Sequence, residues 1–460
     1  MNNNNSNYSS LMLKLLICAD IVLFICAFVL SVTEPVLDKS EQGFIFTTTF
    51  FVLTMLLSCL GLGLYKSKLR ETFFGVLRRL LLASAITFIL IVIFEQLIEN
   101  PYLDDDFLIR ACALSFLFTS VFRYFLFKFN ILGFARRNVL VLGNGQRALI
   151  IEKRMRREVD RKGFNLVGFV HMPGDLKSEI NPDHIITIET NLLDYVVKNQ
   201  VHEIVVATDE RRENLPVDSL FACKLRGVKV TEILDFIEKE TGQIAVNLIY
   251  PSWIIYSEGF HSSNDLRNTF DWLFNACLAV ILFILTWPFM LLAVIAIKLE
   301  DGFNAPVLYW QKRVGLHGKE FSIAKFRSMT TDAEKDGAKW STASDSRITA
   351  VGRFIRKYRI DELPQIYNVL CNDMGFVGPR PEQPEFVNDL KNKLPYYSER
   401  HNVKSGITGW AQLKYPYGEN EVDALEKLKF DLYYIKHRSF LLDLLILIQT
   451  AEVVLFGKGR

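Results

Sequence analysis

The sequence predicts a membrane protein of mixed α/β class: a four-helix transmembrane bundle, an α/β domain with a parallel sheet, and a C-terminal domain entered through a re-entrant membrane hairpin. Three observations carry this. Half of the 460 residues are hydrophobic and mean hydropathy is +0.18, with the excess gathered into a few long runs. A strand–helix–strand pattern follows the first four runs. A fifth run is interrupted by Trp287-Pro288 and leads into a basic stretch that holds the acid pair Asp361-Glu362.

The polar Asn/Ser start, residues 1–10, lacks the charged flank and cleavage site of a signal peptide and reads as a disordered tail. Within 11–130 the apolar runs 11–33, 44–65, 76–98 and 107–127 each approach the roughly 20 residues of a spanning helix. Lys66, Lys68, Arg70, Arg78 and Arg79 lie between the second and third runs, and Arg136 and Arg137 follow the fourth. The other two loops are acidic, with Glu34, Asp38 and Glu41 in one and Asp104, Asp105 and Asp106 in the other. The positive-inside rule therefore puts both ends of this set in the cytoplasm. Seven cysteines show no CxxC spacing. Cys18, Cys26, Cys59, Cys112 and Cys277 fall in apolar stretches, as packing residues rather than disulfide partners or zinc ligands.

Residues 136–260 follow. Strands are expected at 138–142, 164–170, 203–207 and 227–231, with a helix over 149–159, the order of a parallel sheet. Gly143-Asn144-Gly145-Gln146-Arg147-Ala148 supplies a GxGxxA loop after the first strand, so Gly143, Gly145 and Ala148 are candidates for a nucleotide loop. The acidic residue expected to end the second strand is missing. His171-Met172 stand there, and Asp175 comes only after Pro173-Gly174. A degenerate Rossmann-like domain acting as a scaffold or regulatory element fits better than one holding NAD.

The fifth run, within 265–299, is long enough to cross. Its flanks carry the same sign, Arg267 before and Lys298, Lys312, Arg313 and Lys319 after, which argues against crossing. Pro288 removes a backbone donor halfway along. A helix–break–helix that dips in and returns is expected, with Pro288 at the break. The last apolar helix, 440–456, carries Asp443, Gln449 and Glu452 and suits either a core or a membrane interface.

From Lys312 to Arg359 there are twelve lysines and arginines against five acids, although the whole chain is only +2. Carboxylates ringed by cations suit a phosphate or diphosphate site. Asp361 and Glu362 just before Pro364 equally suit acids at a helix N-terminus. Lys325 and Arg327 share one face of an expected strand, 321–327, as a phosphate clamp or as solvated cations. Arg380, between Pro379 and Pro381, sits on a stiff segment, and Arg347 is a weaker candidate of the same kind. His401 reads as a structural or substrate-lining residue.

Residues 265–460 resemble the monotopic polyprenyl-phosphate phosphoglycosyl transferases. The resemblance rests on ordered strings: Phe270-Asp271, Tyr309 to Gly315, Lys325 to Met329, Ser346 to Thr349, Asp361 to Gln365, Val377 to Pro381, Gly406 to Gln412 and Asp431 to Tyr434. The upstream part is similar to the large members, with four membrane helices and a degenerate nucleotide-binding-type fold, and 137–168 looks most like the exopolysaccharide and exosortase-linked branch. The resemblance implies a transfer of sugar-1-phosphate from a UDP-sugar to undecaprenyl phosphate, with release of UMP, on the cytoplasmic face of a bacterial inner membrane. It makes Asp361 the nucleophile, forming a phosphosugar–aspartyl intermediate, and Glu362 the ligand of Mg²⁺, a hard cation that needs few protein ligands. Three departures stand out: Trp287-Pro288 for the usual Ser-Pro, with Thr286 one position earlier, Arg267-Asn268 for Lys-Arg, and Ser405 for the proline before Gly406. Membrane lipids are expected partners, nucleic acid is not, and a homodimer is plausible.

Three other classes compete. A membrane-anchored nucleotide-sugar dehydratase or epimerase needs a Tyr-xxx-Lys pair, and Tyr124 with Lys128 falls at the end of a membrane run. A non-catalytic scaffold of a polysaccharide assembly suits 1–260 but not 265–460. A transporter would need more ionisable groups within the spans than Asp20, Glu95, Arg110 and Arg123.

Overall fold

The computed structural model describes all residues except 1–3, 33–40, 66–72, 99–104, 130–136, 155–162, 178, 189–190, 211–214, 258, 261–264, 331–346, 416–417, 419 and 456–460. Lys66, Lys68, Arg70, Glu34, Asp38, Asp104, Arg136 and Ser346 therefore lie outside the described residues. The chain divides into two compact units, Met1–Glu240 and Thr241–Arg460. It is mixed α/β and mostly helical, and five of the described helices are long and apolar enough to cross a membrane.

In the first unit α1 (Asn4–Ser31), α2 (Glu41–Gly61), α3 (Phe73–Ile98) and α4 (Asp105–Lys128) match the four apolar runs. Helix α1 starts at Asn4, inside the stretch expected to be a tail. Phe28, Phe51, Ile91, Phe107 and Leu108 interlock between these helices, while Leu57, Leu81, Ile93 and Leu117 face outward. Asp20 and Arg123 are both buried and pair at 2.5 Å, and Tyr65 donates to the same Asp20 oxygen at 2.8 Å. Pairing is the condition on which charges are tolerated there. Tyr124 and Lys128 lie on the outer surface of α4. All seven cysteines are free; of those expected to pack, Cys59 and Cys112 are buried, whereas Cys18, Cys26 and Cys277 are exposed on apolar helices.

The rest of this unit runs β1 (Arg137–Leu142), α5 (Gln146–Arg154), β2 (Phe164–Val170), β3 (Ile185–Ile186), α6 (Leu192–Lys198), β4 (Glu203–Val206), α7 (Val217–Leu225), β5 (Lys229–Glu232) and α8 (Ile233–Thr241). The strands form a parallel sheet in the order β3-β2-β1-β4-β5. Leu140, Leu142, Val170, Ile204 and Val206 fill its core with Val196, Leu220 and Cys223. Val139–Leu142 of β1 and Ile204–Val206 of β4 are continuous apolar runs, buried throughout.

The second unit begins with α9 (Pro251–Tyr256) and α10 (Asp265–Asp301). The expected helix–break–helix is one continuous helix with Pro288 inside it. A proline deletes a single N–H and leaves the Ile284 carbonyl without its helical donor, while the helix is assigned on both sides of Pro288. Residues 279, 282, 290, 293 and 297 turn toward the unit, while Phe283, Ile284, Leu285, Trp287 and Phe289 are exposed. Both ends are tied down. Asp271 pairs with Arg438 at 2.6 Å and Asn275 accepts from Phe376 N at 2.8 Å; at the far end Asp301 pairs with Arg327 at 2.5 Å.

The antiparallel strands β6 (Leu308–Val314) and β7 (Glu320–Phe326) follow, with Tyr309 opposite Lys325. Next come α11 (Ala350–Lys357), α12 (Ile366–Leu370), β8 (Gly375–Val377), α13 (Pro384–Lys393), β9 (Gly406–Thr408), α14 (Trp410–Lys414), α15 (Glu421–His437) and α16 (Phe440–Leu455). β8 and β9 pair in parallel. Leu442, Leu445 and Ile446 of α16 pack on Trp410 and Tyr434, so one face of this helix is core.

Candidate active site

Helix α11 fixes where the acid pair falls. Thr349 caps it by accepting from Gly352 N at 2.9 Å, and Glu300 accepts from Ala350 N at 2.8 Å. The helix ends at Lys357, and Arg359 turns the chain with φ 58° and ψ 21°, the left-handed region that a non-glycine residue seldom occupies. A 3-10 turn, Ile360–Gln365, then carries Asp361 and Glu362. Ile360 packs against Ile297, Phe326 and Ile355, which roots the turn in the core. Behind it, Asn368 of α12 is 1 % exposed and bonds β7 twice, accepting from Ala324 N at 3.0 Å and donating to Ser322 O at 2.8 Å. That buried amide holds β7, and hence Lys325, against the turn. An asparagine in an apolar stretch, Ile366-Tyr367-Asn368-Val369-Leu370, was the signal for it in the sequence.

Three cations converge on one oxygen of Glu362. Arg380 Nη2 lies 2.6 Å from Oε1, Arg359 Nη1 3.5 Å and Lys325 Nζ 3.7 Å. Burial pushes the Glu362 carboxyl up, but Arg380, Lys325 and Arg359 outweigh it and hold it well below the usual carboxylate range. Asp361 shows the opposite balance. Burial and the neighbouring Glu362 charge raise its pKa to about 6, against the pull of Lys325, Arg356 and Arg359. Burial also lowers the Lys325 ammonium to about 8, partly offset by Glu362. Asp361 Oδ1 is buried and accepts no hydrogen bond among the described residues. An unspent carboxylate oxygen beside a surplus of cations is a pair of features that an anionic phosphorus centre would satisfy.

The same donors fit a hard divalent cation. Glu362 Oε2 and Asp361 Oδ1 are held by no cation among the described residues, whereas Glu362 Oε1 takes all three contacts. No cluster of three or more metal-type side chains exists among the described residues.

Of the residues expected from sequence, Lys325, Asp361, Glu362 and Arg380 come together. Arg327 does not join them. It lies just past the end of β7 and is buried against Asp301 of α10, so its charge is spent on a structural tie. Arg347 sits near the Met329–Ile348 bridge, where its carbonyl accepts from Thr330 N at 3.0 Å. Arg359 and Arg356 join the site unforeseen; the left-handed turn that folds Arg359 back on Glu362 leaves no mark in the sequence. His401 packs edge-on to Tyr397, and burial lowers its pKa to about 4.

The GxGxxA loop takes a different course. Gly143 adopts φ +118° close to Ala207 O. At Gly145 a Cβ would stand 2.0 Å from Asp209 Oδ2, so only glycine admits the acid that caps α5. Asp209 accepts from Gln146 N and Arg147 N at 2.9 Å each and from Leu176 N at 3.1 Å. Asp175 accepts from Asn144 N at 2.9 Å, Asp209 N at 3.1 Å and Met172 N at 3.2 Å. The N–H groups at the α5 N-terminus, where such loops hold a pyrophosphate, are taken by the chain's own carboxylates. Ala148 is buried beneath them.

Comparison with known proteins bears on the second unit first. The profile of the bacterial sugar transferase family matches residues 266–457. A 350-residue stretch is 30% identical to an undecaprenyl-phosphate galactose phosphotransferase of Salmonella typhimurium, covering 72% of this chain and 70% of that protein. The chain belongs to the bacterial sugar transferase family. A UDP-N-acetylgalactosamine-undecaprenyl-phosphate N-acetylgalactosaminephosphotransferase of Aeromonas hydrophila is 37% identical over 60% of this chain and 64% of its own length. A UDP-glucose:undecaprenyl-phosphate glucose-1-phosphate transferase of Xanthomonas campestris is 31% identical over 64% and 62%. The chain thus spans a little under two thirds of these two relatives. Every residue of the cation–carboxylate cluster lies inside the stretch matched by this sugar transferase profile, and the GxGxxA loop lies outside it.

Proposed function

We propose that the chain transfers a sugar-1-phosphate from a UDP-sugar to undecaprenyl phosphate, releasing UMP, as the first membrane step of a glycan assembly. The observation that carries this is Asp361 Oδ1, buried without a partner beside a Glu362 whose charge is already met by Arg380, Lys325 and Arg359. The activities by which the relatives above are named point the same way.

In the proposed chemistry an Asp361 oxygen attacks the sugar-bearing phosphorus. The bond from that phosphorus to the bridging oxygen breaks, and the bridging oxygen leaves with UMP. An oxygen of the lipid phosphate then attacks the same phosphorus and displaces Asp361, giving a lipid-diphosphate sugar. Both nucleophiles are anions near neutral pH, so neither step needs a general base. The obstacle is like charge, which Lys325, Arg356, Arg359 and Arg380 reduce from fixed positions. Glu362 would hold Mg²⁺, which supplies further neutralisation of the diphosphate oxygens when bound.

The apolar helices α1–α4 would place this chemistry at the bacterial inner membrane, with the loop charges putting the soluble parts in the cytoplasm. We read α10 as re-entrant. Both of its ends, at Asp271 and Asp301, are tied to one unit, and a kink at Pro288 would turn the helix back. The parallel sheet fits a degenerate Rossmann-like scaffold whose phosphate loop is closed by Asp209.

The test is UMP release from a panel of UDP-sugars by the full chain with Mg²⁺, with and without undecaprenyl phosphate. Release from at least one donor, and radiolabelled sugar-phosphate appearing on the lipid, is expected. No UMP from any donor would sink the assignment.

A further inference from the structure

Arg380 owes its place to a segment that cannot hold itself. Pro379 and Pro381 have no N–H to donate, so the segment is secured through its carbonyls. Four consecutive carbonyls are taken by four separate donors. Pro379 O accepts from Gly406 N at 3.0 Å, Arg380 O from Arg400 Nη2 at 2.8 Å, Pro381 O from Arg313 Nη1 at 3.2 Å and Glu382 O from Val314 N at 2.9 Å. The contact with β9 is close enough that a Cβ on Gly406 would lie 2.1 Å from Gly378 N.

Arg400 stands out among these donors. It is 7 % exposed, and its guanidinium is fixed on two other sides, by Asp431 Oδ2 at 3.0 Å and by the Tyr397 hydroxyl, which accepts at 2.7 Å. Its charge is answered by Asp431, itself buried on α15. Arg380 points the other way, from that clamped backbone to Glu362 at 2.6 Å.

We propose that Arg400 is a positioning residue: locked by Asp431 and Tyr397, it grips the Arg380 carbonyl and thereby sets the Arg380 guanidinium on Glu362 without touching substrate. A planar fork bonds three acceptors at once, which an ammonium on the same stem does not reproduce. This rests on the phosphoryl-transfer reading above, and its consequence is that Arg400 influences the reaction only through Arg380.

A double-mutant cycle on the full chain tests it, reading kcat and KM for the UDP-sugar that releases UMP. Arg400→Lys should lower kcat about tenfold or more, and Tyr397→Phe, which removes one acceptor and leaves the ring, should lower it less. In an Arg380→Ala background Arg400→Lys should change kcat less than twofold. Equal losses in both backgrounds would overturn the proposal, because a general loss of structure does not depend on Arg380. Amide exchange reads the same clamp without activity. Arg400→Lys should speed exchange at Gly406 and Val314, whose N–H groups bond Pro379 and Glu382. Unchanged exchange at both would also overturn it. If the wild-type chain releases no UMP, the assigned reaction falls, while the exchange result still decides whether Arg400 holds the segment.

Discussion

The loop after β1 and the turn after α11 both gather aspartates, and they spend them differently. Asp209 and Asp175 together accept from six backbone N–H groups, fixed by the sheet and by α5. Those six N–H groups are therefore not free for a ligand. Asp361 keeps one buried oxygen without a donor, and Glu362 is answered by side-chain cations instead of backbone N–H groups. Backbone dipoles neutralise an acid in place, whereas arginines and lysines bring whole charges that a phosphate can share. A glycine-rich loop is therefore no guide to chemistry until its N–H groups are accounted for, and an acid pair becomes one when an oxygen is left unsatisfied.

The largest effect should come from removing that unspent oxygen's charge. Asp361→Asn keeps the shape of the side chain and should abolish the phosphosugar adduct, seen by intact-protein mass spectrometry, with UMP release falling at least about 10³-fold. Persistence of the adduct in this variant would place the nucleophile elsewhere and erase the contrast between the two turns. Titration gives the next effect. Asp361 is raised to about 6, so without added metal its nucleophilic form should disappear below that pH, with adduct formation falling roughly tenfold per unit. The stability sign is the reverse. A carboxyl with a raised folded pKa contributes stability at low pH and loses it as pH rises through about 6. Asp361→Asn should accordingly melt above wild type at pH 8, and the gap should close toward pH 4. A pH-independent gap would mean that burial of Asp361 costs nothing.

How far the sequence showed this depends on the element. The apolar runs and the strand at 138–142 were legible because burial leaves continuous hydrophobic stretches such as Val139–Leu142. Asp361, Glu362, Lys325 and Arg380 were legible as charges of opposite sign gathered in one segment, and through the family strings. Arg359 was hidden because its contribution depends on a left-handed φ, and Arg327 was misjudged because strand alternation reports a face but not that Asp301 waits there. The course of α10 through Pro288 was missed for a related reason. Proline marks a lost hydrogen bond, and whether the helix continues is settled by what both halves pack against.

The smallest effect belongs to the loop after β1. Asp209→Ala frees the N–H groups of Gln146, Arg147 and Leu176 and removes the cap of α5. By the usual value of such a cap this should cost about 1–2 kcal/mol of stability, measured by thermal unfolding. UMP release should stay within twofold of wild type. The two turns lie in different compact units, so a loss in one need not reach the other. A tenfold fall in UMP release with an unshifted melting point would show that this loop takes part in turnover. The carboxylate of Asp209 would then be a group the reaction uses, and the division between a self-satisfied turn and a reactive one would fail at its simpler end.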